Sequence, residues 1–521
     1  MLFNSFVFIF SFLPIAVLVF FAIGKQGHHR VAIAWLVAAS LFFYGWWNPA
    51  YLGLILASIL FNYAFGVLLG RQESRSKVLL IVGVVCNLSL IAYYKYANFF
   101  IDNMNVLTGT DYQVRSILLP LAISFFTFQQ IAYLVDAYKG ETKEYNFLHY
   151  CLFVTFFPQL IAGPIVHHKE MLPQFAEDKN YRLNYSNLSV GLTIFIIGLF
   201  KKVILADGVA VYASPVFNAA EAGVALTVFE AWGGALAYTL QLYFDFSGYS
   251  DMAIGLARMI GIRLPLNFSS PYKANNIIEF WRRWHMTLSR FLRDYLYIPL
   301  GGANKGKWRR YLNLMLTMLL GGLWHGAGWT FVVWGMLHGS YLIINHAWRA
   351  VCKVLPGFNS GSSYFGRFVA RLITFIAVVV GWVFFRAESF DGAVNLVSTM
   401  FGKHGLSLPE QSEIWLSAWL PELLANQVSY DGMFNHNLVD WQHGLVKIFV
   451  LLAVVMLMPN TQQMMFKYKP VFETYKGELK QYSYSAFEWS PSLLHALITG
   501  LIFYYTLSNL VSESEFLYFN F

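Results

Sequence analysis

Asn4-Ser-Phe-Val-Phe-Ile-Phe-Ser-Phe-Leu-Pro-Ile-Ala-Val-Leu-Val-Phe-Phe-Ala-Ile23 runs without a single charge. A helix needs about 20 apolar residues to cross roughly 30 Å of hydrocarbon, so this stretch is a candidate span. It lacks a basic start and a small-residue cleavage site, and a second apolar run follows at once. It therefore reads as a retained first helix, not a cleaved leader. Further candidate spans lie near 31–48, 50–70, 78–94, 117–137, 147–165, 189–205, 226–246, 311–324, 328–347, 367–386, 444–459 and 491–511. Several are short, and the pattern predicts roughly 10 to 13 transmembrane or re-entrant helices. The fold class is thus all-α: a polytopic integral membrane protein.

Composition agrees. The 521 residues are 57% hydrophobic and only 12% charged, with a mean hydropathy of +0.50, where soluble domains run near a quarter charged. So apolar a chain must satisfy its backbone in spanning helices or a closed barrel, and long unbroken apolar runs favour helices. The net charge of +8 does not signal nucleic acid. Lys and Arg fall mostly between apolar runs, the pattern that orients a membrane protein, and the 18% aromatic content suits interfacial packing. Cys86, Cys151 and Cys352 lie in or beside apolar runs with no metal spacing, so neither a disulfide scaffold nor a metal site is expected.

Lys25 and Arg30, then Arg71, Arg75 and Lys77, fall on one side if the first spans alternate, which sets the N-terminus outside. Arg282 to Arg310 holds eight basic residues (Arg282, Arg283, Arg290, Arg293, Lys305, Lys307, Arg309, Arg310) against one acid, Asp294, and is expected to face the cytoplasm. Residues 403–443, with Glu410, Glu413, Glu422, Asp431 and Asp440, form an acidic connection that suits an external, periplasmic loop. With no repeat or second soluble domain, residues 1–521 read as one membrane domain.

Three stretches carry chemistry. In Glu279-Phe-Trp-Arg-Arg-Trp-His-Met-Thr-Leu-Ser-Arg-Phe-Leu-Arg293, helical offsets place Arg282, His285, Ser289 and Arg293 on one face. Such a stripe is suited to a phosphate-bearing thioester, since arginine offers a fixed fork of donors; the plainer reading is that the arginines snorkel to lipid headgroups. In Leu319-Leu-Gly-Gly-Leu-Trp-His-Gly-Ala-Gly-Trp-Thr-Phe-Val-Val-Trp-Gly-Met-Leu-His338, His325 follows Trp324 among glycines. A histidine at membrane depth tends to line a cavity or pathway, and neutral imidazole can take a proton from a hydroxyl and return it to a leaving thiolate. His325 is the candidate general base, against a packing histidine bonded to a carbonyl. His338, 13 residues on, points to another face of an ideal helix and reads as structural.

Gln241-Leu-Tyr-Phe-Asp-Phe-Ser-Gly-Tyr-Ser-Asp251 ends an apolar run with Asp245 and Asp251. They are suited to orienting a histidine or pairing with arginines, or to a turn with Ser250 or Asp251 as N-cap of the next helix. Ser124 to Asp136 and Phe156 to Pro164 place amides and a carboxylate in apolar runs, either lining a tunnel or bonding between helices; Pro158 and Pro164 are expected to break helices.

With Tyr243-Phe-Asp-Phe-Ser-Gly-Tyr-Ser-Asp251, Trp281 to Gly302 and Gly321-Gly-Leu-Trp-His-Gly326 in view, the chain resembles the membrane-bound O-acyltransferases, and within them the bacterial alginate O-acetyltransferases, over nearly its full length. The resemblance implies helices around a thin centre crossed by a tunnel. It places His325 at the family's essential histidine and His285 at its second motif position; beside these catalytic candidates, Arg282, Ser289, Arg293, Trp324, Asp245 and Asp251 are the candidate substrate-binding residues. It also implies an acetyl donor, acetyl-CoA, that is not permanently bound, periplasmic acetylation proteins of a polysaccharide synthesis complex as partners, and a place in the inner membrane of a Gram-negative bacterium. Two rivals stand beside it: a transporter or flippase for a glycan or lipid intermediate, and an acyltransferase whose acceptor is a lipid, peptidoglycan, teichoic acid or protein.

Overall fold

The structure, a computed structural model, describes residues 1–71, 76–113, 117–141, 146–354, 363–416, 428–436, 438–475, 477–479, 487–510, 514 and 516–517. Its helices in chain order are α1 (Leu13–Lys25), α2 (His29–Gly45), α3 (Ala50–Arg71), α4 (Lys77–Ile91), α5 (Ala97–Thr108) and α6 (Ile123–Lys139). Next come α7 (Phe147–Thr155), α8 (Phe157–Leu160), α9 (His168–Phe175), α10 (Tyr185–Phe200), α11 (Asp207–Glu221) and α12 (Val228–Met259). The second half holds α13 (Ile277–Trp281), α14 (Met286–Leu292), α15 (Gly306–His325), α16 (Trp329–Val354), α17 (Tyr364–Arg386), α18 (Phe390–Met400), α19 (Trp441–Leu457) and α20 (Leu493–Ser508). Among the described residues, strand pairing is limited to a two-residue parallel pair, Leu406–Ser407 with Val428–Ser429, and an isolated bridge from Pro265 to Phe472. The all-α class is borne out.

Among the described residues, five helical stretches are long and apolar enough to cross a membrane: Phe8–Lys25, Ala50–Gly70, Lys77–Thr108, Tyr185–Glu221 and Tyr364–Arg386. The helices α2, α19 and α20 are apolar but shorter. Pro158 does break the expected 147–165 span, which splits into α7 and α8. The amides of α6 bond between helices: Gln130 Oε1 accepts from Ser58 Oγ at 2.9 Å and from Asn62, and Asn62 and Asn87 exchange hydrogen bonds. Asp136 accepts from the Tyr295 hydroxyl at 2.7 Å. Arg75, Glu422 and the last four residues of the chain lie outside the described residues.

The centre is the antiparallel pair α10 and α12. A methyl on Gly191 would stand 2.6 Å from the Gly255 carbonyl oxygen, and one on Gly255 2.6 Å from the Gly191 oxygen. Gly198 and Gly248 repeat the relation at 2.7 and 2.8 Å. Small residues let helix backbones touch where lipid supplies no hydrophobic drive. The expected turn at Ser250 and Asp251 is not there. The cap is Thr227, whose hydroxyl accepts from the Glu230 amide at 3.1 Å while Glu230 Oε2 accepts from the Thr227 amide at 3.0 Å. From that capping box α12 runs unbroken past both aspartates.

Those aspartates are internal ion-pair partners of lysines, not of a histidine or of arginines. Between α10 and α11 the chain forms a π-helical segment, Lys201–Ala206, that turns two lysines toward α12. Lys201 Nζ meets Asp251 Oδ2 at 2.7 Å, and Lys202 Nζ, 2% exposed, meets Asp245 Oδ1 and Asp207 Oδ1 at 2.8 Å each. Thr461 and Gln462 donate the remaining bonds to Asp251 at 2.6 Å, and the Leu517 amide donates to Asp245 Oδ2 at 3.1 Å. Charges at this depth persist when paired and hydrogen-bonded.

Two predictions follow from this core. Gly255→Val drives a side chain into the α10 backbone, and we expect a loss of about 1–3 kcal/mol, read as an earlier melting transition of the purified protein; an unchanged transition contradicts the close crossing. Asp245→Ala strips a buried lysine of a partner, with an expected loss of about 3–5 kcal/mol, and Asp245→Leu combined with Lys202→Met is expected to recover much of it. Wild-type melting of Asp245→Ala would show that the pair is not structural.

Candidate active site

Helix α15 stops at His325 because Gly326 is extended (φ −159°, ψ 150°), and α16 restarts three residues later. The glycines flanking this turn put backbones in contact. A methyl on Gly322 would lie 2.3 Å from the Phe331 oxygen, and one on Gly335 2.5 Å from the Met318 oxygen. The resulting hairpin carries His338 back to His325, since the Trp334 ring lies 5.1 Å from the first histidine and 4.7 Å from the second. The expectation that His338 faces elsewhere assumed one continuous helix, and it fails. His338 is fully buried, with neither ring nitrogen hydrogen-bonded among the described residues, and its Nε2 occupies the space that a side chain at Gly381 would need.

His325 is 6% exposed. Trp324, Trp334 and Phe385 surround its ring at centroid distances of 4.8, 5.1 and 5.0 Å. His285, Lys95 and His338 are ionisable groups near it. The carbonyls ending α15 are capped from outside: Tyr96 donates to Leu323 at 2.5 Å, and Lys95 Nζ donates to Trp324 at 2.5 Å and to His325 at 2.9 Å. Sequence reasoning missed Lys95. A lysine between tyrosines at the edge of an apolar run was the available signal.

His285 does not extend a helix face. The chain leaves α13 at Trp281, and His285, the residue before α14, takes a left-handed conformation (φ 42°, ψ 53°). Such a backbone is uncommon outside glycine and clusters at functional sites. It turns the ring inward, 1% exposed, edge-on to Phe246 at 4.7 Å and 6.4 Å from Trp324. Asn267 Oδ1 accepts from the Thr287 hydroxyl at 2.9 Å and lies 3.1 Å from His285 Nδ1. An oxygen there makes Nδ1 the protonated nitrogen, so in the neutral ring Nε2 carries the lone pair. Asn267, held in turn to Ser250 at 3.1 Å, was also missed; nothing in its local sequence marks it.

The expected stripe is therefore not formed. Arg282 and Arg293 are exposed while His285 is inside. Arg293 is bound by its neighbour Asp294, Nε to Oδ1 at 2.7 Å, and by Tyr475. The Ser289 hydroxyl donates to the Trp284 carbonyl at 3.4 Å. Trp324 is brought in: stacked on Phe128 at 5.2 Å, its ring lies 6.4 Å from the His285 ring and 4.8 Å from that of His325. The structure thus unites His325, His285, His338 and Trp324, and leaves Arg282, Ser289, Arg293, Asp245 and Asp251 outside that cluster.

A protein-family model described as MBOAT, membrane-bound O-acyltransferase family, matches residues 137–380. A peptidoglycan O-acetyltransferase of Helicobacter pylori is 41% identical over all of this chain and 98% of its own length. A probable alginate O-acetylase of Pseudomonas putida is 42% identical over 87% of this chain and 96% of its own length. A teichoic acid D-alanyltransferase of Bacillus subtilis is 30% identical over 52% of this chain. With spanning helices, a buried pair of motif histidines and relatives that match end to end, the chain belongs to the membrane-bound O-acyltransferase family and is an O-acyltransferase.

Proposed function

We propose that the protein O-acetylates a polysaccharide system, moving acetyl groups from acetyl-CoA on the cytoplasmic face of the inner membrane to an acceptor on the periplasmic side. The observation that carries the reading is the burial of His325 and His285 beside one indole, Trp324, at the point where α15 ends. In the proposed reaction the acceptor hydroxyl, a serine on a periplasmic acetylation protein or a sugar hydroxyl, gives its proton to His325. The new C–O bond forms as the C–S bond breaks, and the proton passes to the departing thiolate. His285, with Nδ1 tied to Asn267, presents Nε2 as an acceptor that orients the hydroxyl, and backbone N–H groups beside Gly326 are suited to the developing oxyanion. Arg282 sits on the surface, so an oxyanion role for it loses support; the basic stretch Arg282 to Arg310 better suits attraction of the anionic donor.

The first acceptor reading is an exopolysaccharide such as alginate or cellulose. Peptidoglycan is the second, favoured by the Helicobacter pylori relative, whose match leaves almost none of either chain uncovered. The test is the O-acetyl content, by NMR, of exported glycan and of muropeptides from cells carrying wild type, a deletion, or His325→Ala at matched membrane levels. We expect His325→Ala to lower acetylation of one of the two by about 100-fold or more while the polymer is still made, and Asn267→Ala to lower it less. Acetylation that survives His325→Ala removes the base assignment. A deletion that traps acetylated polymer inside the cell favours the transporter.

A further inference from the structure

A helix leaves its last carbonyls without intrahelical partners, and something must satisfy them when the end is buried. At the end of α15 the chain's own next turn contributes one weak bond, Gly326 N–H to the Gly322 carbonyl at 3.4 Å. The carbonyls of Leu323, Trp324 and His325 are instead filled by two consecutive residues of a distant segment, Tyr96 and Lys95. That segment, Ala92–Tyr96, is a π-helical insertion between α4 and α5, inside the long apolar stretch Lys77–Thr108. π-helical turns of this kind are frequent at functional sites, and here the widened turn presents two adjacent side chains to one target.

Lys95 also has an electrostatic reason to be there. Among the described residues no carboxylate lies within ion-pair distance of it, and a lone ammonium in a span is costly. The negative end of the α15 dipole supplies the countercharge. Lys95 therefore grips the backbone of His325 itself, and Tyr96 that of Leu323 in the same turn. The hairpin is held from the same side by Asn103 of α5, whose Oδ1 accepts from Trp329 Nε1 at 2.9 Å.

We propose that Lys95 is a positioning residue for His325: by anchoring the carbonyls of Trp324 and His325 it fixes the rotation of the last turn of α15 and the reach of the imidazole. This rests on His325 being the reacting base. A displacement of about 1 Å in a reacting group can cost about 100-fold in rate, and that is the loss expected on freeing this turn.

The experiment follows labelled acetate into polymer O-esters, as an initial rate per copy of folded protein, in cells carrying the full chain, with the melting temperature of each purified variant measured alongside. Lys95→Met is expected to lose about 100-fold in rate per folded copy with little change in melting. Lys95→Arg is expected to recover most of the rate. Lys95→Gln, which keeps two donors without the charge, is expected to fall between them, and it carries the test where the Met variant does not accumulate. A wild-type rate in Lys95→Met and Lys95→Gln, beside an inactive His325→Ala, overturns the proposal and leaves the acyltransferase reading intact. A rate that falls only in step with melting overturns it too, since that is a purely structural role. Undiminished esters in His325→Ala overturn the reading beneath it.

Discussion

Everything at the centre depends on two backbones touching. Where Gly191 faces Gly255 and Gly198 faces Gly248, α10 and α12 approach until one added methyl would meet a carbonyl oxygen. Only at that separation do Lys201 and Lys202 reach Asp251 and Asp245 across the interface. The charges do not bring the helices together. They are tolerated because the glycines already have, and in exchange they fix the register of one helix against the other. Hydrocarbon cannot hydrogen-bond, so both features answer the same demand, that every polar group find its partner inside the protein.

Three of the irregular turns serve that demand as well. Ala92–Tyr96, Lys201–Ala206 and Arg293–Tyr297 are π-helical, and each carries a cation or hydroxyl bonded to another part of the chain: Lys95 to α15, Lys202 to α12, Tyr295 to α6. A regular helix would send adjacent residues about 100° apart. Widening one turn allows a neighbouring pair to act together, which is what the end of α15 and the aspartates of α12 require.

The sequence made the class of the molecule legible through its apolar run lengths, and the motif histidines through their improbable place among apolar residues and glycines. The interhelical role of Gln130 was legible for the same reason. What periodicity misread were the interruptions. The 3.6-residue pattern that aligned Arg282 with His285 holds only if the helix continues, and a left-handed residue at His285 reverses the direction of the side chain. The same assumption misplaced His338, which returns beside His325 because the chain turns at Gly326. The partners of Asp245 and Asp251 lay some forty to fifty residues upstream on another helix, and no local pattern connects such positions. Lys95, Lys201 and Lys202 were the visible trace: lysines that interrupt apolar runs and must be answered somewhere.

Helix α15 also works as a ruler. It opens with the basic cluster Lys307, Arg309 and Arg310 in its first turns and, 20 residues long, ends on His325. At about 1.5 Å per residue it spans about 30 Å, so the length of one helix sets the depth of the His325 ring, and its pitch sets the direction in which that ring points. One residue added earlier in α15 would move the imidazole, together with Trp324, by about 1.5 Å and swing both through about 100°, out of line with His285. Length is therefore a chemical variable in this segment. Drift in side chains along its outer face leaves that placement untouched, while a single insertion or deletion moves the His325 ring.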